Sequence, residues 1–181
     1  MRLYFLLLLF LAFAACRYEL SSDKTEAKVF SIAQFIQDQI DSLEYHQSAL
    51  LKTGTIAQVS DTVLIKNPDW KKELQAFTEA DFSNISSAAY YQVDSLHINQ
   101  GRVNILYTAT NDKLPVKSLD IIRTKNKILR LKISIEKEHF VYHSKSMLEY
   151  YPKRYYRIET NVKTRISKVE EFVISGRFIN P

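Results

Sequence analysis

Beyond Ala89 the apolar residues of this chain fall at every second position, and that rhythm leaves few folds open. Tyr91 and Val93 alternate with Gln92 and Asp94. Val103, Ile105, Tyr107 and Ala109 alternate with Arg102, Asn104, Leu106 and Thr108. Leu119 and Ile121 alternate with Ser118 and Asp120, and Leu129, Leu131, Ile133 and Ile135 face away from Arg130, Lys132, Ser134 and Glu136. Neighbouring side chains of a strand point to opposite faces, so a period of two means one dry face and one wet face, as in an antiparallel sheet. Asn111-Asp112 and Lys125-Asn126-Lys127 supply turns between the runs. Further strands are expected over residues 140–143, 146–151, 155–162 and 172–179. A turn belongs at Pro152, because proline cannot donate to a strand ladder.

The first half follows a different period. Ser31 and Gln34 have the spacing of a capping box, and Phe30 and Phe35 that of a hydrophobic staple. Ile32, Phe35, Ile36, Ile40, Leu43, Leu50 and Leu51 then recur at threes and fours, which predicts one long amphipathic helix closed by Gly54. Residues 55–66 are rich in β-branched side chains and predict a hairpin turning at Ser60-Asp61. Asn67-Pro68-Asp69 opens a short helix carrying Trp70, Leu74 and Phe77 and ending near Ala80. The fold class is therefore α+β: a long N-terminal helix packed on a twisted, meandering antiparallel sheet, with one further short helix. A hydrophobic content of 46%, with only 3 Gly and 4 Pro, supports a packed core and leaves no low-complexity linker.

Ahead of this domain stands MRLYFLLLLFLAFAAC. Arg2 precedes an uncharged apolar run, small residues Ala14 and Ala15 follow, and then comes Cys16, the single cysteine of the chain. The order is that of a secretory signal, and the run is shorter than the roughly 20 apolar residues of a spanning helix. With a cysteine at the cleavage point it resembles a bacterial lipoprotein signal, which implies lipidation of Cys16 and a mature chain beginning there. Three further stretches, VFSIAQFIQDQIDSL, NPDWKKELQAFTEADFSN and MLEYYPKRYYRI, resemble segments of small lipoproteins of unknown function from Bacteroidota-type Gram-negative bacteria. The resemblance implies no catalytic residue. Arg17, in place of the aspartate that retains enterobacterial lipoproteins at the inner membrane, implies the outer membrane. The chain is thus divided into a signal over residues 1–15, a lipidated cysteine with a polar tether over 16–29, and one domain over 30–181.

Charge is distributed unevenly. Residues 17–112 hold 8 Lys and Arg against 13 Asp and Glu, whereas residues 113–181 hold 16 against 7, so the two parts carry about −5 and +9. In an exported protein this basic excess points to anionic lipid or another acidic envelope component rather than to nucleic acid. Lys125 and Lys127 at a hairpin tip, with Arg130 and Lys132 on the wet face of the next strand, are the candidate contacts to such a surface. Tyr150, Tyr151, Tyr155 and Tyr156 flank the Pro152 turn and are candidate aromatic ligand contacts, set against plain cross-strand packing with the hydroxyls at the surface.

No catalytic constellation emerges. The G-x-S-x-G and H-E-x-x-H patterns and phosphate-binding loops are absent from the sequence. His139 and His143, placed in extended chain, would stand about 13 Å apart, too far to share a metal. Asp120, Glu149 and Glu159 could meet across strands. No cofactor, metal or enzymatic activity is expected. Two functions remain: a lipid-anchored envelope protein presenting a binding or structural domain, or a carrier of a lipid-like ligand held between helix and sheet. An apolar cavity of several hundred Å³ would mark the carrier, and a helix packed flat on the sheet the binding domain.

Overall fold

The computed structural model of the chain describes residues 29–84, 89–99, 101–166 and 169–179. Helix α1 runs Ile32–Tyr45, followed by strands β1 (Ala49–Ile56) and β2 (Val59–Ile65). Two single-turn helices come next, α2 (Trp70–Glu73) and α3 (Gln75–Thr78). Seven more strands follow among the described residues: β3 (Tyr91–Ile98), β4 (Arg102–Ala109), β5 (Val116–Arg123), β6 (Ile128–Glu138), β7 (Tyr142–Tyr151), β8 (Tyr155–Thr164) and β9 (Glu170–Ile179). All nine strands form one open antiparallel sheet in the order β2-β1-β9-β8-β7-β6-β5-β4-β3. The α+β architecture expected from the two periods is the one observed.

Helix α1 begins as its sequence dictates. The Ser31 hydroxyl accepts from the Gln34 amide at 3.2 Å, and the Phe30 and Phe35 rings meet at 5.8 Å. Asp81, after α3, accepts the Ile32 amide at 2.9 Å and so fastens the start of α1 to the segment that follows α3. Ile32, Ile36, Ile40 and Leu43 are buried, as the apolar stripe requires. Leu43→Ala removes a core side chain in the last turn, where 7% exposure softens the loss. Its expected cost lies toward the lower end of the usual range of about 2–5 kcal/mol, measured by denaturant melts.

The helix ends earlier than expected. Gln47 takes a left-handed φ of +48°, its amide donates to Glu44 O, and the Ser48 amide donates to Leu43 O, both at 3.0 Å. This double bond pattern is a Schellman ending, made here by glutamine instead of glycine. Leu50 is buried because it lies on the inner face of β1, so its spacing of seven from Leu43 is a coincidence of register. Gly54 sits in mid-strand rather than at a helix end. The β1–β2 hairpin also turns sooner, at Ala57 and Gln58 (φ +48° and +69°), not at Ser60-Asp61, which pair inside the strand. Residues 140–143 and 146–151 are not separate strands: Phe140 and Val141 lie in a turn, and the remainder joins β7.

The core lies between the helices and the inner face of the sheet. Leu119 and Ile121 on β5, Leu131 and Ile133 on β6, and Leu148 and Tyr150 on β7 are almost wholly buried beneath the helical layer. Phe77 of α3 packs edge-on against Tyr150 and Tyr156, and Trp70 of α2 against Phe178 of β9. The expected in-line role of Leu129 fails at a one-residue irregularity. Ile122 pairs Arg130 but Arg123 pairs Ile128, so Leu129 is left without a partner and Ile128 takes the core side.

Candidate functional site

In an up-and-down meander, alternate turns fall at the same end of the sheet. The β3–β4, β5–β6 and β7–β8 turns therefore share one end, and the β4–β5, β6–β7 and β8–β9 turns share the other. At the first end a groove of about 960 Å³ crosses the rim, from Phe35 and Gln39 on α1 to the β5–β6 and β7–β8 turns. Its lining holds seven cations and no carboxylate. Arg102 comes from β4, Arg123, Lys125 and Lys127 from the β5–β6 hairpin, and Lys153 and Arg154 from the β7–β8 turn. These six are exposed. The seventh is Arg130, half-buried and held by Asp120 at 2.6 Å.

The four basic residues singled out by sequence thus divide into two pairs. Lys125 and Lys127 stand at the tip as expected, within the groove. Arg130 and Lys132 are on the outer face as expected, but they are neutralised there. Asp120, Lys132, Glu149 and Arg157 occupy one cross-strand rung over β5, β6, β7 and β8, so charge alternates along it. Lys132 bonds Glu149 at 3.1 Å, and Arg157 reaches Glu159 at 3.2 Å. The three carboxylates considered for catalysis, Asp120, Glu149 and Glu159, each therefore have a cation as neighbour. Missing from the sequence reading were Arg102, Arg123, Lys153 and Arg154. The alternation of turn ends in a meander was the available signal for them.

The β7–β8 turn has a further peculiarity. The Arg154 amide donates to Tyr151 O at 3.1 Å across Pro152-Lys153, and Lys153 has a left-handed φ of +60°. Glycine or asparagine is favoured at such a position, and a residue with a Cβ pays about 1–2 kcal/mol there. A cation is kept where backbone strain disfavours it.

The four tyrosines separate by face. Tyr150 and Tyr156 are cross-strand partners on the inner face, both fully buried. Their hydroxyls are not at the surface, contrary to expectation: that of Tyr150 has no hydrogen-bond partner, and that of Tyr156 donates to Glu73 Oε2 at 2.8 Å. Glu73 is in turn paired with Lys52 at 2.8 Å. Burial pushes both phenols well above the usual value, with Glu73 adding to the shift of Tyr156. Tyr151 and Tyr155 are partners on the outer face, half-buried and stacked at 4.6 Å. Burial, followed by the hydrogen bond to Tyr151, raises the phenol of Tyr155. Only Tyr151 of the four lines the groove.

The opposite end carries a second groove, of about 1130 Å³, with mixed charge: Asp112, Glu136 and Glu138 stand among Lys113, Lys117, Lys163 and Arg165. His139 and His143 are here, and the chain between them is not extended. The His139 amide donates to Tyr142 O across the β6–β7 turn. His143 Nε2 lies 2.9 Å from Glu136 Oε1, and the Lys145 ammonium beside Glu136 holds that carboxyl below its ordinary range. Among the described residues no cluster of three or more His, Cys, Asp and Glu is arranged to hold a metal. Cys16, the signal over residues 1–15 and the tether up to residue 28 lie outside the described residues. No protein-family model, curated protein or solved structure matches the chain.

Proposed function

We propose that the chain is a lipid-anchored protein of a Gram-negative cell envelope, held at the outer membrane through Cys16, whose domain binds an anionic envelope component and acts without catalysis. The observation that carries the binding role is the groove at the sheet's end, where six exposed cations converge with no carboxylate in the lining, the seventh, Arg130, being paired with Asp120. On the outer face beyond the groove, by contrast, Lys132 is matched by Glu149 and Arg157 by Glu159. Like charges gathered in one concave site repel each other and focus potential outward, an arrangement that favours an anionic occupant. The anchoring role rests on Ala14-Ala15-Cys16 after the apolar run.

A carrier of a lipid-like ligand would need room between helix and sheet. Ile36, Ile40, Phe77, Leu131, Leu148 and Tyr150 occupy that interface, which favours binding at the surface over carriage inside. The anchor is tested by growing cells with a clickable palmitate analogue. The wild-type chain should be labelled and Cys16→Ser should not. Equal label in the two would overturn the anchoring role.

A further inference from the structure

We propose that the basic groove is a docking surface for the phosphate headgroups of anionic lipid, and that the β3–β4 hairpin beside it rests its apolar side chains in the same membrane surface. This rests on the envelope placement proposed above. The number and spread of the cations point to an array of phosphates. Arg102 stands on β4 and Arg154 at the entrance to β8, four strand spacings away, which puts the strands that carry them roughly 19 Å apart. A single phosphate cannot meet cations spread that widely. A bilayer surface presents one headgroup after another and can.

The neighbouring hairpin supplies the second argument. Ile98 on β3 pairs directly with Arg102, and Leu96 pairs with Asn104. Leu96 and Ile98 share the outer face with Leu106, and Leu96 is 67% exposed. Exposed apolar side chains continuous with unpaired cations are what a protein lying in a lipid interface presents: the cations meet headgroups while the aliphatic groups leave water. The third argument is Lys153. A left-handed φ of +60° favours glycine, yet the position keeps a cation that lines the groove. Substitution by glycine should therefore stabilise the turn while weakening binding, which separates a lipid role from a structural one.

The test uses the full chain with Cys16→Ser, so that acylation cannot mask the groove, and vesicles of phosphatidylglycerol or of phosphatidylcholine. Binding to phosphatidylcholine measures what the apolar contacts, those of the N-terminal segment and of the hairpin together, contribute without headgroup charge. The expected result is tighter binding to phosphatidylglycerol, weakening from about 30 mM to about 150 mM salt as the Debye length shortens. Each cation near an anionic surface strengthens binding about fivefold, so Lys125→Gln, Lys127→Gln and Lys153→Gly together should weaken it on the order of a hundredfold. Circular dichroism melts of Lys153→Gly alone should show no loss of stability.

Lys113→Gln, Lys163→Gln and Arg165→Gln remove the same charge from the opposite end and should leave binding within about twofold, less than the effect of one groove cation. Leu96→Ser should weaken phosphatidylglycerol binding without changing its salt dependence. Equal binding to the two lipids would overturn the proposal. So would equal losses from the two triple variants, which would reduce the effect to net charge. Displacement by inorganic phosphate, beyond that by chloride at matched ionic strength, would reassign the groove to a soluble phosphate ligand. None of these outcomes depends on palmitate labelling of Cys16, so the anchor and the groove fail separately.

Discussion

Gly176→Val is expected to yield no folded protein, and Gly176→Ala to cost about 3 kcal/mol or more, at or above the usual range for overpacking a core. Gly176 lies on β9, opposite Tyr156 of β8 and Lys52 of β1. A Cβ built there would stand 2.2 Å from Tyr156 Cε1, 2.6 Å from its Cζ and 2.7 Å from Leu50 Cδ1. The ring cannot retreat. Tyr156 is fully buried, Phe77 and Phe178 lie against it, and its hydroxyl is tied to Glu73. Backbone movement would disturb pairing with both neighbouring strands. Glycine weakens a strand through entropy and the lack of a side chain to pack, and here that cost is offset by the aromatic ring lying in the space it leaves. Gly54 is the internal control. Nothing stands within 4 Å of its Cβ position, so Gly54→Ala should be neutral or stabilising. Urea melts of the two alanine variants read the difference directly. A double-mutant cycle with Tyr156→Ala should show the Gly176→Ala penalty largely removed, since the clashing ring is gone. Equal midpoints for Gly54→Ala and Gly176→Ala would sink this account.

The contrast between these glycines also shows where sequence reasoning stops. The strand rhythm after Ala89, the Ser31 cap and the stripe Ile32, Ile36, Ile40 and Leu43 are local signals, and local physics carried them into the structure. What was missed depends on residues acting against type. Gln47 ends α1 in a left-handed conformation, and Ala57-Gln58 turns the first hairpin with two positive φ values, where glycine or asparagine is the usual signal. Chain packing imposes those conformations and leaves no mark in composition. The candidate site was half legible. Lys125 and Lys127 could be placed at a tip, but the neutralisation of Arg130 and Lys132 required the register that brings Asp120 and Glu149 beside them. Arg102 and Lys153 are 51 residues apart in sequence, and only the meander brings them to one rim.

The domain is expected to lose stability steeply above pH 10, and the buried tyrosines are the cause. Tyr150 and Tyr156 have phenols pushed well above the ordinary 10.0, chiefly by burial. Burial also raises Tyr91, whose hydroxyl donates to Val116 O at 2.9 Å. In the unfolded chain each phenol loses its proton near pH 10, whereas in the folded domain it stays neutral. Above that pH the unfolded state binds fewer protons than the native one, so stability falls as pH rises. Their contribution is fully present below pH 10 and drains away between the unfolded value and the raised folded one. Each such group costs about 1.4 kcal/mol per pH unit across that window. Two buried phenols together remove roughly 3 kcal/mol per unit, a large share of the 5–15 kcal/mol that holds a typical domain. The two residues differ at neutral pH. Tyr150 buries a hydroxyl without a partner, so Tyr150→Phe should be neutral or stabilising there. Tyr156→Phe gives up the bond to the Glu73 carboxylate and should cost about 1.5–3 kcal/mol. At alkaline pH both substitutions act alike, each removing one titrating group and about half of the slope shared by the pair. Urea midpoints of the wild type and the two variants, taken from pH 8 to pH 12, distinguish the two effects. The part of the tyrosinate absorbance that the double variant Tyr150→Phe, Tyr156→Phe removes should rise together with unfolding rather than before it. A wild-type slope above pH 10 that persists unchanged in the double variant Tyr150→Phe, Tyr156→Phe would place the alkaline transition in the lysines instead.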